Sequence, residues 1–205
     1  MIVPTMSKEE IIKEMLSDFD IVKRKSEYVI QDLRRLILKT KNFPIVKAYD
    51  YVTPKTKNKW IYIVEVKTKD DIFQTFVNYH FTSIGLMAAL VATDMSITFY
   101  TSHFFTRFIE REKLSITKPE EMIKAFFTMN PVIKYEVQKK LEDGANEILG
   151  AASTGVVLGI RSNKKIIVCN TYIPNEMLHK DQSLIVNSLK SELDYYTAMK
   201  EAGLI

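Results

Sequence analysis

The chain has one cysteine, Cys169, among 205 residues. A lone thiol excludes an intramolecular disulfide and any thiolate-rich metal site. It makes a reducing interior the easier home, and the cytoplasm is the expected compartment. Histidine is almost as scarce. His80, His103 and His179 are far apart in the sequence. A histidine-based metal centre would therefore need carboxylates for most of its ligands, and no metal is expected. Glycine and proline number six each, so little of the chain reads as linker. There is no glycine-rich phosphate loop, no GxSxG, no HExxH and no EF-hand loop. No cofactor is expected. The longest apolar run, "IGLMAALVA" at 84–92, is far short of the roughly 20 residues that cross a bilayer. The opening "MIVPTMSKEE" has neither the basic start nor the apolar stretch of a signal peptide. No membrane partner is expected.

What is present fits a globular protein. Apolar residues make up 46% and charged residues 26%, which disfavours a disordered or fibrous chain. The net charge of +4 is local. Residues 1–57 hold twelve Lys and Arg against eight Asp and Glu, and the rest of the chain balances. Such an excess permits an anionic partner without demanding one. A solvated, lysine-rich helix is the plainer explanation.

Ser7 and Glu10 form a capping box, and apolar residues from Ile11 to Ile37 recur at helical spacing. This predicts a long helix to about Lys39. Pro44 and Pro54 then predict an irregular connector. The expected organisation is a helical arm and connector over 1–57 and a main domain over 58–205. "KWIYIVEVKT", "IFQTFVNYHFTSI" and "SITFYTS" read as strands, being rich in branched and aromatic residues. "GLMAALVATD" is ambiguous between strand and helix. A helix over 102–113 is capped by Thr101 or Ser102. A second, "PEEMIKAFFTMN", starts at a Thr117–Glu120 capping box. "VIKYEVQKKLEDGANE" reads as helical or irregular. Three strands follow between 147 and 173, and Asn175 is expected to cap a C-terminal helix. The fold class is α+β: an antiparallel β-sheet flanked by helices, with a long N-terminal helical arm and a C-terminal helix.

One stretch carries possible chemistry. In "YTSHFFTRFIEREKL", His103, Arg107 and Arg111 stand at i, i+4 and i+8, on one helix face beside the apolar stripe of Phe104, Phe105, Phe108 and Ile109. Two guanidinium forks suit phosphate oxygens, and the imidazole is the nearby group that exchanges protons near neutrality. An ordinary solvated helix face would look the same.

The order of elements adds a resemblance over residues 96–173. A strand leads into His-x-x-x-Arg-x-x-x-Arg, then a helix "TKPEEMIKAF…NP", then glycine-marked strands ending in "IIVCNTYI". This resembles small uncharacterised bacterial and phage domains related to the barnase and RelE-like ribonuclease toxins. The resemblance implies a metal-free ribonuclease site of His103, Arg107, Arg111 and Thr171, with RNA as partner. Such cleavage needs a base, an acid and cations around the phosphate. His103 would be one proton carrier. The other is missing, with His80 and Tyr79 as candidates. The helical arm, the strands before residue 96 and the long C-terminal segment are extra to that pattern. A second reading is therefore a non-catalytic binding or assembly protein that uses the N-terminal arm and the C-terminal helix as partner surfaces, joining a protein partner or, through the N-terminal helix, itself. A third is an RNA binder that uses the same arginines.

Overall fold

The computed structural model describes residues 1–142, 144–163, 165–179 and 184–191. Among the described residues, nine strands form one sheet in the order β1-β2-β3-β4-β5-β9-β8-β7-β6. The first five run as an antiparallel meander: β1 Ile45–Val52, β2 Lys59–Val66, β3 Ile72–Thr82, β4 Gly85–Val91 and β5 Ile97–Thr101. The last four run as another: β6 Lys134–Lys140, β7 Asn146–Ala151, β8 Gly155–Asn163 and β9 Ile166–Pro174. The two meanders meet where β5 pairs with β9 in parallel. The fold is α+β, with a mostly antiparallel sheet between helices.

Helices cover both faces. Side chains alternate along a strand, so Trp60, Tyr62 and Val64 face one way and Ile61 and Ile63 the other. The first set packs under α1, Lys8–Lys39, through Met15, Phe19 and Val22. The second packs under α2, Ser102–Arg111, and α3, Pro119–Met129. Both faces being apolar explains why β2 is buried almost throughout. On the α1 face, Val186 and Leu189 of a helix at 184–191 meet Leu149, Ala151 and Val156. This helix is preceded by a 3₁₀ turn at Asn175–Met177. Asn175 therefore does not cap the C-terminal helix as expected, since residues 175–177 form the 3₁₀ turn and 178–179 are not helical; residues 180–183 and 192–205 of the expected helix lie outside the described residues. Among the described residues no helix is long and apolar enough to cross a membrane.

Three local expectations are corrected. The connector contains β1, which pairs with β2 over its whole length. Pro44 and Pro54 bracket this strand and do not interrupt it, as befits an edge. The segment expected to be helical or irregular contains β6, the opposite edge strand. Its lysines are helix formers in isolation, but at a sheet edge they discourage pairing with another chain. Finally, α3 starts one residue later than the capping box implied. Lys118 is the N-cap without a side-chain bond, and Pro119 takes the first helical position, where its fixed φ fits.

The arm is docked by buried polar groups as well as apolar ones. The capping box of Ser7 and Glu10 forms as expected. Asp18, 2% exposed, accepts from Asn58 Nδ2 at 2.7 Å and from Thr56 Oγ1 at 2.8 Å. Thr53 Oγ1 adds a longer bond of 3.3 Å. One carboxylate thus ties α1 to the β1–β2 turn.

His80 lies on the α1 face of β3. Its Nδ1 meets Asn78 Oδ1 at 3.1 Å, and its Nε2 is buried without a partner. Burial lowers its pKa from 6.5 to about 4. Between those values the unfolded chain binds a proton that the folded chain refuses. Stability is present above the unfolded value and is lost as pH falls towards 4. The expected loss approaches about 3 kcal/mol. Urea unfolding at pH 7 and pH 4.5 should show this dependence, and His80→Leu should flatten it. An unchanged slope in the variant would assign the effect to other groups.

Candidate functional site

Helix α2 follows β5 without a loop. Thr101 caps it by accepting from the Phe104 N–H at 3.3 Å. Phe104, Phe105, Phe108 and Ile109 turn into the core. Phe104 and Phe108 each meet Phe126 of α3 edge-to-face, at 4.8 and 5.2 Å between centroids. This anchoring fixes which side of α2 faces water. His103 is exposed and Arg107 partly so. Arg107 Nε points at His103 Nε2 at 3.4 Å, and Arg107 Nη1 is 4.0 Å from Glu110 Oε2. The predicted helical spacing therefore brings this histidine and arginine together.

Arg111 is used differently. It donates from Nη1 to the main-chain carbonyl of Tyr172 and so ties α2 to β9. The adjacent Glu112 accepts from the Tyr172 hydroxyl. That hydroxyl also meets Thr154 Oγ1 at 2.7 Å. Thr154 in turn donates from N and Oγ1 to Asn130 Oδ1, at 2.9 and 3.0 Å. Asn130, fully buried, closes the end of α3 by donating to the Phe126 carbonyl at 3.1 Å. Burial, then the bond to Glu112, pushes the Tyr172 phenol well up. Tyr172 is a brace between four segments, with no proton to offer near neutrality.

Thr171 does not join His103 and Arg107. It pairs with Leu158, while Gly159 pairs with Cys169, so Asn170 is an unpaired bulge residue. The extra residue switches the faces. Cys169 and Tyr172 both pack under α2, whereas Leu158, opposite Thr171, packs on the other side of the sheet. Gly159 is required here, because a Cβ would lie 2.3 Å from the Val168 carbonyl oxygen. His80 also faces away from α2, for it alternates with Val77 and Tyr79 of the α2-side core. Cys169 is a core thiol, pushed up to about 12 by burial.

Sequence reasoning missed Glu112, Thr154, Asn130 and Tyr172 as a unit. They come from four separate segments, and no spacing rule links them. Among the described residues no group of three or more His, Cys, Asp or Glu is placed to hold a metal ion. No family model, no curated protein and no solved structure matches the chain.

Proposed function

We propose that the chain is a derivative of a ribonuclease-like, toxin-related domain that holds RNA phosphodiesters on α2 and no longer completes their cleavage. The observation that carries this reading is the exposed pair of His103 and Arg107, with Arg107 Nε 3.4 Å from His103 Nε2. A guanidinium beside an imidazole offers donors to one phosphate oxygen pair. Cleavage would need a second proton carrier and further cations around the phosphate. Thr171 and His80 lie across the sheet, and Arg111 is engaged by the Tyr172 carbonyl. The cytoplasm is the compartment this reading takes, since it offers RNA and keeps a lone thiol reduced.

Fluorescence anisotropy with a labelled single-stranded RNA tests it. Binding should weaken with salt, and Arg107→Ala should lower affinity about tenfold and reduce the salt slope by about one. His103→Ala should have a smaller effect. Wild-type protein should leave the RNA intact. Cleavage that leaves a cyclic phosphate, and is lost in His103→Ala, would replace this reading with a working enzyme. Absence of salt-sensitive binding would remove RNA as the partner.

A second reading rests on the far end of α1. Tyr28, Leu36 and Leu38 are 64%, 46% and 67% exposed, although the rest of the helix buries its stripe. They would serve assembly with another chain. Leu36→Glu combined with Leu38→Glu should then lower the mass seen by sedimentation while leaving circular dichroism unchanged. A wild-type protein that already sediments as a monomer at all concentrations would end this reading for self-association.

A further inference from the structure

We infer that β1 pairs antiparallel with the β1 of a second copy of this chain, about a two-fold axis at Tyr49, joining two sheets into one. This names the strand and the occupant for the self-association reading of α1, and it rests on that reading.

The two edges of the sheet are built differently. β6 carries Lys134, Lys139 and Lys140 and is interrupted by a bulge between Val137 and Lys139. Lysines and a break in register both resist pairing with another chain. β1 is less guarded. Its eight residues pair with β2 in unbroken register, and Lys47 and Asp50 are its only charges. Asp50 is paired with Lys124 of α3 at 2.7 Å. No other described strand lies beyond β1.

One bond shows which groups β1 leaves open. Thr53, the next residue, donates its N–H to the Asn58 carbonyl at 3.0 Å. Main-chain direction alternates along a strand, so Tyr51, Tyr49, Lys47 and Ile45 also bond to β2. The N–H and C=O groups of Val46, Ala48, Asp50 and Val52 therefore point away from the sheet. These positions are symmetric about Tyr49. A two-fold axis there sets Val46 opposite the partner's Val52 and Ala48 opposite the partner's Asp50. Every open group on one copy then meets an open group on the other. Such an interface uses the same patch twice and closes at two copies. Val52, 52% exposed, gains an apolar neighbour across the strands.

Charge on the α1 face agrees. Tyr49 lies on that face, stacked on Tyr62 at 5.2 Å, and Lys47 alternates in phase with it. Burial, then the charge of Asp32, raises the Tyr49 phenol, which sets Asp32 of α1 beside this edge. Among the described residues neither Asp32 nor Lys47 forms an ion pair. The axis sets the partner's Lys47 opposite Tyr51 and diagonal to Tyr49, and so brings it towards Asp32. The symmetric pair forms on the other side. Tyr28 and Leu36, both exposed, stand one turn either side of Asp32, so the bare row of α1 borders the same junction.

Sedimentation of the full chain tests the pairing. The wild type should be a dimer at about 100 μM. Ala48→Pro removes one outward N–H and no bond to β2. It should raise the dissociation constant about tenfold or more while circular dichroism stays unchanged. Mild oxidation reads the register. Tyr49→Cys should crosslink to its own copy, because opposite residues without main-chain bonds between them approach to about 4.5 Å between Cα atoms. Lys47→Cys should not, since it faces the partner's Tyr51. If a variant of one kind fails to fold, the other measurement decides alone. The proposal is overturned if Ala48→Pro dimerises as the wild type does, or if Tyr49→Cys crosslinks no faster than Lys47→Cys. A dimer lost in the Leu36→Glu, Leu38→Glu variant but kept in Ala48→Pro leaves assembly on α1 and removes β1 from it. A wild type that is monomeric at all concentrations ends both.

Discussion

Phe126→Ala is expected to lower the unfolding free energy by about 4 kcal/mol, within the range for emptying a packed aromatic site. Phe126 is fully buried on α3. Its ring lies 4.8 to 5.5 Å, centroid to centroid, from those of Phe104, Phe108, Phe127 and Tyr100. Most of these contacts are edge-to-face, the arrangement that aromatic quadrupoles favour. Removing the ring leaves a void among stiff neighbours that cannot collapse without tilting α2 against the sheet. Phe126→Leu fills most of the space and should cost less than half as much. Urea unfolding measures both. A loss below about 1.5 kcal/mol for the alanine variant would mean that the cluster repacks freely.

Asp18→Leu should cost about 3 kcal/mol, through a different route. The leucine fits an apolar helix but strands the donors of Asn58, Thr53 and Thr56, which now converge on one buried carboxylate. Asn58 also accepts from the Ile2 N–H at 2.7 Å, so its disturbance reaches the residues before α1. Asp18→Asn retains one acceptor oxygen and should cost about half as much. Unfolding curves and hydrogen exchange at the Asn58 side chain give the two readouts. Equal losses in both variants would show that the charge, not the acceptor geometry, holds the turn.

Long periodic elements were legible because their patterns were redundant. α1 has ten or so apolar positions in phase, and α2 packs with the stripe its sequence shows. The edge strands were not legible. β1 and β6 bury little, so their sequences carry weak alternation, and only the neighbouring strand identifies them. "GLMAALVATD" was ambiguous because β4 is covered on both faces, which removes the period of two. The same limit applied to the site. His103 and Arg107 lie within one helical turn, so spacing alone brings them together. Thr171 lies on a strand where counting by twos from Cys169 gives the α2 face. The bulge at Asn170 breaks that count and delivers Tyr172 there instead.

The parallel joint between β5 and β9 has a consequence for the chain as it is made. β5 completes a five-strand meander that can form as soon as it is synthesised, since its partner β4 precedes it. Its other edge pairs with β9, whose residues come about 70 positions later. At ordinary rates of synthesis that gap lasts roughly 4 to 14 s. During it "ITFYT" presents open amide and carbonyl groups and no charged residue within the strand. The nascent protein thus carries an adhesive margin that the finished one conceals. Slowing translation between α3 and β9 would lengthen that exposure, so aggregation should respond to codon choice in this interval even though the mature sequence is unchanged.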